Sequence, residues 1–427
     1  MGNSQGVQNL VFEGDKMRTK ILVRAPVLSH SGYGEQSRFA LRALRSREDL
    51  FDIYIHPTGW GQTGWISADS EERRWLDQRI VATNEYMQHS KQFDVSLQIT
   101  IPNEWEKMAP VNIGYTAGIE TTKVAPVWLQ KANEMDKIIV VSNHAKQIFE
   151  RSFFEAQNQD GQRVILKCQT PIDVVNYAVR QFEEKSVDLD LEYDFNYLCI
   201  AQHGPRKNLP NTIRWFVEEN FDQEVGLVVK TNLRNHSIID REHTENSIKQ
   251  ILGEDKDRKC KVYLLHGDLS EEEMTGLYRH PKIKVFISAT HGEGFGLPLF
   301  EGAYNELPVI APGWSGQCDF LYIPDPKRKN SGKMKPMFAS VEYDIRPVQS
   351  EAVWDGVIEK DSMWCYPKEG SFKRRLREVR SQYPRFLKNA KKLQKHLVNN
   401  FTEEKKYSEF VNSIDKVFSS ETEYTIL

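Results

Sequence analysis

Two glutamates eight positions apart, Glu293 and Glu301, flank the densest cluster of chemically useful residues in the chain, His291-Gly292-Glu293-Gly294-Phe295-Gly296-Leu297-Pro298-Leu299-Phe300-Glu301. Three glycines within five residues let a backbone come close to a ligand. Leu297-Pro298 suits the first turn of a helix, where a missing N–H costs nothing. The free N–H groups and positive dipole of such a helix start make a seat for a diphosphate. One carboxylate in the loop and one inside the helix can accept hydrogen bonds from hydroxyls at the two ends of one ligand, as a sugar offers. Taken alone the loop is weak evidence, because the same glycines also make a tight turn and the same glutamates also face solvent.

Other candidates stand at strand ends. Gln202-His203-Gly204-Pro205-Arg206-Lys207-Asn208 puts a basic pair after one strand, and Lys230 and His266 close two more. Gly32 and Gly34 flank Tyr33 after the first strand of the chain. His56 to Trp65 is a glycine-rich aromatic loop carrying Trp60, read equally as an acceptor-binding lip or as a packed surface loop. Asp188-Leu189-Asp190 is an Asp-x-Asp, but it falls in an acidic linker, and no His-x-x-x-His pair suggests zinc, so no metal is expected.

These residues need strands and helices to hold them. Lys20–Pro26 reads as a buried strand, followed by a glycine turn and a helix from Glu35 to about Ser46, the opening unit of a parallel α/β sheet. Strands are expected at Phe51–Ile55, Phe93–Ile99, Val111–Tyr115 and Lys137–Val141, and helices over Pro126–Met135 and after Ser142 or Asn143. A second alternation starts near Phe195. It has strands at Tyr197–Ala201, Gly226–Thr231, Val262–His266, Ile283–Ser288 and Pro308–Ala311. The helices between them cover Asn211–Asn220, His243–Leu252, a segment capped by Ser270 with Glu273, and Phe295–Tyr304. The acidic, aperiodic stretch QFEEKSVDLDLEYD joins the two series. Phe372–Val398 and Thr402–Ser419 read as long amphipathic helices. The expected division is 1–17 as a disordered tail or cloning remnant, 18–188 as an N-terminal Rossmann-like domain, 189–395 as a C-terminal Rossmann-like domain and 396–427 as a C-terminal crossover helix.

The chain has 427 residues, enough for two or three domains with their own cores. A net charge of −3 gives no global basic field for nucleic acid. Two local stretches are basic, Pro326–Lys335 and Lys373–Lys395. A solvated helix face accounts for them, and so does a phosphate-backbone contact surface. No run of 18 apolar residues suggests a membrane span, although peripheral membrane contact stays open. Five scattered cysteines fit reduced thiols and a cytoplasmic setting.

E-G-F-G-L-P-L-F-E, from Glu293 to Glu301, resembles the E-x7-E signature of retaining glycosyltransferases with the two-domain GT-B fold, particularly the large family-4 group. LPVIAPGWSGQCDFL is similar to that family's continuation, with Ser315-Gly316 and Asp319 where it has Gly-Gly and an acid. IGYTAGIETTKVAPVWLQKANEMDKIIVVSNHAKQIF resembles a segment of its first half, and Gly32-Tyr33-Gly34 its N-terminal glycine loop. The resemblance covers about residues 20–320. It implies two Rossmann-like domains facing a cleft, with the C-terminal helices crossing back. It implies that Glu293 meets the donor sugar and Glu301 the ribose, with backbone N–H groups of Gly294, Phe295, Gly296 and Leu297 on sugar and phosphate. Lys207 matches the family's phosphate lysine. The usual earlier arginine is missing, and Arg206 or Lys230 stands in for it. The catalytic-region histidine of some relatives is also missing, with Tyr115, Thr116 and Glu120 as local substitutes.

The implied activity is metal-independent, retaining transfer from a nucleotide-diphosphate sugar, UDP- or GDP-linked, with no further cofactor. The acceptor is a glycan, a lipid-linked sugar or a small molecule. Two alternatives are a phage-type enzyme acting on a hydroxylated DNA base and a non-catalytic nucleotide-sugar-binding protein.

Overall fold

The computed structural model describes residues 18–89, 92–157, 161–253, 257–325 and 332–418. The expected tail at 1–17 and the basic run Lys327-Arg328-Lys329 lie outside these described residues.

The first half runs β1 (Thr19–Ala25), α1 (Gly32–Arg45), β2 (Phe51–Pro57), α2 (Glu71–His89), β3 (Val95–Ile99), β4 (Val111–Thr116), α3 (Pro126–Ala132), β5 (Lys137–Val140), α4 (Asn143–Arg151), β6 (Phe153–Gln157), β7 (Arg163–Lys167) and β8 (Ile172–Val174). Six of its strands form one sheet in the order β2-β1-β3-β4-β5-β8, every pair parallel. Buried on both faces, these strands read as near-continuous apolar runs such as Ile21-Leu22-Val23 and Lys137-Ile138-Ile139-Val140. Serine caps fix two helix starts: Ser31 Oγ accepts from Gly34 N, and Ser142 Oγ from Ala145 N.

The second half repeats the pattern with β9 (Asn196–Ile200), α5 (Leu209–Asn220), β10 (Gly226–Lys230), α6 (Ile238–Leu252), β11 (Lys261–Leu265), α7 (Glu271–Arg279), β12 (Ile283–Ile287), α8 (Leu297–Tyr304) and β13 (Val309–Pro312). Next come α9 (Cys318–Leu321), β14 (Tyr322–Pro324), β15 (Met334–Pro336), β16 (Ala339–Val341), β17 (Tyr343–Pro347) and β18 (Met363–Pro367), then α10 (Glu369–Ser381), α11 (Tyr383–Asn400) and α12 (Glu403–Phe418). The second parallel sheet has the order β11-β10-β9-β12-β13-β16. Ser270 and Glu273 close the expected capping box on α7. Two Rossmann-like halves face each other, the GT-B arrangement that the sequence leads one to expect.

Some elements differ from expectation. The helix anticipated over Phe372–Val398 is two helices, α10 and α11, parted at Gln382 just before Pro384, which lacks the N–H needed to continue the first. Helix α2 escapes the periodicity reading because only Leu76 and Thr83 of its residues are buried. Between α9 and α10 the described residues make five short strands. The β17–β18 hairpin reaches the other half: Thr122 N donates to Met363 O at 2.9 Å, and Asn103 Nδ2 to Gly356 O at 2.8 Å.

The final helix α12 crosses back and packs on α1. Phe410, fully buried, meets the Tyr115 ring at 5.2 Å and the Phe39 ring at 5.8 Å. Phe410→Ala should therefore cost about 3–5 kcal/mol of unfolding free energy in a denaturant titration, the range for emptying a buried aromatic site. A loss below about 1 kcal/mol would show that the crossover helix contributes little to the first core.

Candidate functional site

Strands β9 and β12 are sequence-distant neighbours at the point where the second sheet reverses its order, and ligands of open α/β sheets bind beyond the carboxyl ends of strands at such a point. The loop after β9 carries Arg206 and Lys207; the loop after β12 carries Glu293. Topology thus brings together groups 86 and 87 residues apart in sequence. Lys207 Nζ donates to both carboxylate oxygens of Glu293, at 2.8 and 2.7 Å. Arg206 Nη1 donates to Glu293 Oε2 at 3.1 Å and to Gly292 O at 2.6 Å. The same Nη1 lies 3.2 Å from Glu120 Oε1 of the first half.

Glu293 is 6% exposed. Burial alone would raise its carboxyl, but Lys207 and then Arg206 outweigh it and hold it at about 2. Burial pulls Lys207 below its ordinary value more than Glu293 pushes it back. The backbone around Glu293 is fixed as well: its N–H donates to Ser315 Oγ at 2.8 Å, and its carbonyl accepts from Gly316 N at 2.9 Å. These are the two residues that the sequence resemblance sets against a glycine pair.

Helix α8 starts directly beyond this cluster. Gly296 has φ 97°, a left-handed conformation that favours glycine, and turns the chain into Leu297-Pro298. Gly294 lies against the first half: a Cβ there would come within 2.8 Å of Ala117 O. Inside α8, Glu301 Oε2 accepts from Tyr278 Oη at 2.7 Å. Burial raises the Glu301 carboxyl to about 8, the Tyr278 hydrogen bond only partly opposing it and the nearby charges of Glu271 and Glu35 adding to it.

A cleft of about 650 Å³ runs between the halves and joins these groups. Gly32, Glu120, Arg206, Lys207, Glu293 and Glu301 all line it, together with the Gly294–Leu297 backbone and Lys230. Lys230 Nζ donates to Gly267 O at 2.9 Å, and burial lowers its pKa, with Asp268 opposing. Gly34 is folded into the turn, where a Cβ would overlap Ser29 O at 1.9 Å. His266 is off the wall, buried, with Nε2 2.9 Å from Asp240 Oδ2. Tyr115 sits in the core under the cleft, and Thr116 Oγ1 is 2.8 Å from Tyr33 Oη. Asp319 ties the halves, accepting from Asn143 N and Asn176 Nδ2, both at 2.9 Å. In the aromatic loop Trp60 lines the cleft and packs on Tyr33 at 4.2 Å, while Trp65 is 61% exposed.

Sequence reading missed Tyr278, Glu271 and Arg180. Arg180, from the segment joining the halves, lies 2.8 Å from Glu271, 3.5 Å from Glu35 and 3.9 Å from Glu403. Glu271 reads in sequence as an ordinary first-turn acid, and nothing in a linear chain announces that an arginine in a linker will face it.

Solved structures share this architecture. Sucrose-phosphate synthase from Thermosynechococcus elongatus superposes with a TM-score of 0.58 at 12% identity, over 95% of this chain and 100% of that one. Anabaena HepE, solved with UDP and glucose, gives 0.57 at 10% identity over 93% and 100%. A glycosyltransferase from Rickettsia africae gives 0.57 at 12% identity over 95% and 100%. At these identities the likeness establishes the GT-B fold. The sequence matches no protein-family model and no curated protein.

Proposed function

We propose that the chain is a retaining glycosyltransferase that moves a sugar from a nucleotide-diphosphate sugar to an acceptor hydroxyl. The observation that carries the reading is the convergence of Lys207 and Arg206 on Glu293 at the switch point, directly before the start of α8. In the free protein Glu293 is the anion between two cations. A donor diphosphate would bring the charge those cations can stabilise, and the α8 start would add its N–H groups and dipole. Glu293 is then released towards the sugar hydroxyls, and Glu301 takes the ribose. Departure of the nucleoside diphosphate leaves its charge on Lys207, Arg206 and the helix start. The acceptor attacks from the same face, its proton passing to the departing phosphate. HepE, of like fold, was solved with UDP and glucose, the kind of donor parts this cleft would hold. A thermal-shift panel of UDP, GDP, ADP and TDP sugars tests the reading. One donor at a hundred times its Kd should add about 2.7 kcal/mol of stability; a flat response to all four contradicts it.

The Glu301 carboxyl adds a signature. Ribose hydroxyls donate to a carboxylate, so binding favours its ionised form and expels a proton. Nucleoside-diphosphate affinity should therefore rise as pH climbs towards about 8 and level off above it. The sign is reversed for the unliganded fold. It holds this proton more tightly than the unfolded chain does, so its stability drops as pH rises from 4.5 towards about 8. Calorimetric titration across pH checks this. Glu301→Gln should flatten the binding profile, and a wild-type slope that survives in Glu301→Gln would remove Glu301 from the site.

A glycan, a lipid-linked sugar or a small molecule is the acceptor class favoured over DNA. Much of the basic stretch is engaged internally: Lys373 with Glu218 and Glu369, Arg374 with Glu342, Arg377 with Glu219, and Arg375 and Arg385 with Glu378. These pairs answer the charge that a phosphate backbone would need.

A further inference from the structure

The cleft that Glu301 lines is also lined by Arg180, Glu271, Leu269, Met274 and Tyr304. Glu271 begins α7, the same helix whose Tyr278 donates to Glu301 about two turns further on. Arg180 Nη1 donates to Glu271 Oε1 at 2.8 Å. Among the described residues no other side-chain donor meets the Glu271 carboxylate, and its side chain is open to the cleft. Its side chain is 52% exposed, so the carboxylate face that Arg180 leaves free is open to a ligand's hydrogen-bond donors.

We propose that Glu271 and Arg180 read the base of the donor nucleotide and that this base is guanine; the inference rests on the donor reading of the cleft given above. A ribose held by Glu301 directs its base towards Glu271, between the apolar side chains of Leu269 and Met274. The guanine edge presents an acceptor, O6, next to two donors, N1–H and the 2-amino group. A carboxylate takes both donors, and a guanidinium beside it serves the acceptor. Uracil offers one N–H between two carbonyl oxygens, so one carbonyl faces the second carboxylate oxygen. Adenine turns the N1 lone pair towards the acid. Both mismatches leave a desolvated acceptor opposite an acceptor.

Calorimetry with GDP, inosine diphosphate, UDP and ADP on the full chain tests this. GDP should bind at least about tenfold tighter than UDP or ADP, the discrimination one paired contact supplies. Inosine diphosphate, lacking the 2-amino group, should fall between. Glu271→Gln should weaken GDP about tenfold and leave UDP unchanged or improved. UDP or ADP binding as tightly as GDP overturns the guanine assignment while leaving the donor site standing. GDP affinity undiminished in Glu271→Gln overturns the role of that acid. Failure of all four nucleotides to bind overturns both this inference and the donor reading beneath it.

Discussion

Glu293→Ala should lower kcat/KM for glycosyl transfer by about a thousandfold while the chain stays folded. Removing one group that stabilises transition-state charge costs on the order of 10²–10³ in rate, and this carboxylate has two tasks. On the proposed reading it meets the sugar, and in the free protein it positions Lys207 at 2.7 Å and Arg206 at 3.1 Å. The same change leaves the half-buried Lys207 without its anion and Arg206 with Glu120 alone, so the free protein should lose about 3 kcal/mol of stability. A nucleoside diphosphate should restore much of that loss, because it supplies the missing negative charge. Glu293→Gln separates shape from charge. It should keep the loop, through Ser315 Oγ and Gly316 N, yet lose most of the activity. Steady-state kinetics paired with thermal melts with and without nucleotide would decide. Full activity in Glu293→Ala overturns the site.

Lys207→Ala should cut kcat by about 10²–10³, because the departing diphosphate loses its nearest positive charge. The stability outcome differs from that of the glutamate. Arg206 still pairs with Glu293 after the change, so the unliganded fold should lose much less. The Glu293 carboxyl should rise from about 2, since its first stabiliser is gone. A variant whose KM for donor rises while kcat holds would show that Lys207 binds ground state and transition state equally, and that the leaving-group role lies elsewhere.

The alternation of apolar strand runs and capped helices was plain in sequence because parallel strands buried on both faces leave long apolar runs. Ser31, Ser142 and Ser270 mark their helix starts without tertiary help. Helix α2 and the strands between α9 and α10 were not legible. The first buries too little for a clear period, and the second are three to five residues long. Pro384 was visible, and the break it causes could have been read from its missing N–H. Within the site, Glu293, Lys207 and Arg206 were legible as residue types at strand ends, but their convergence depended on β9 and β12 becoming neighbours. Tyr278 and Arg180 carry no local signal: Tyr278 meets Glu301 only when α7 and α8 of the second half come together, and Arg180 meets Glu35 and Glu271 only when the halves close on the segment between them. His266 shows the reverse. It occupies a promising strand end, yet Asp240 on α6 draws it away from the cleft.

The most direct test of transfer chemistry in this cleft is proton NMR of the wild-type chain and Lys207→Ala incubated with the nucleotide sugar that stabilises the fold and an excess of a simple alcohol as acceptor. The account predicts that wild type releases nucleoside diphosphate and a sugar product with the donor's anomeric configuration, and that Lys207→Ala does so about a hundredfold more slowly or worse. A stabilising donor left intact by wild type, or turned over equally by both proteins, would contradict it.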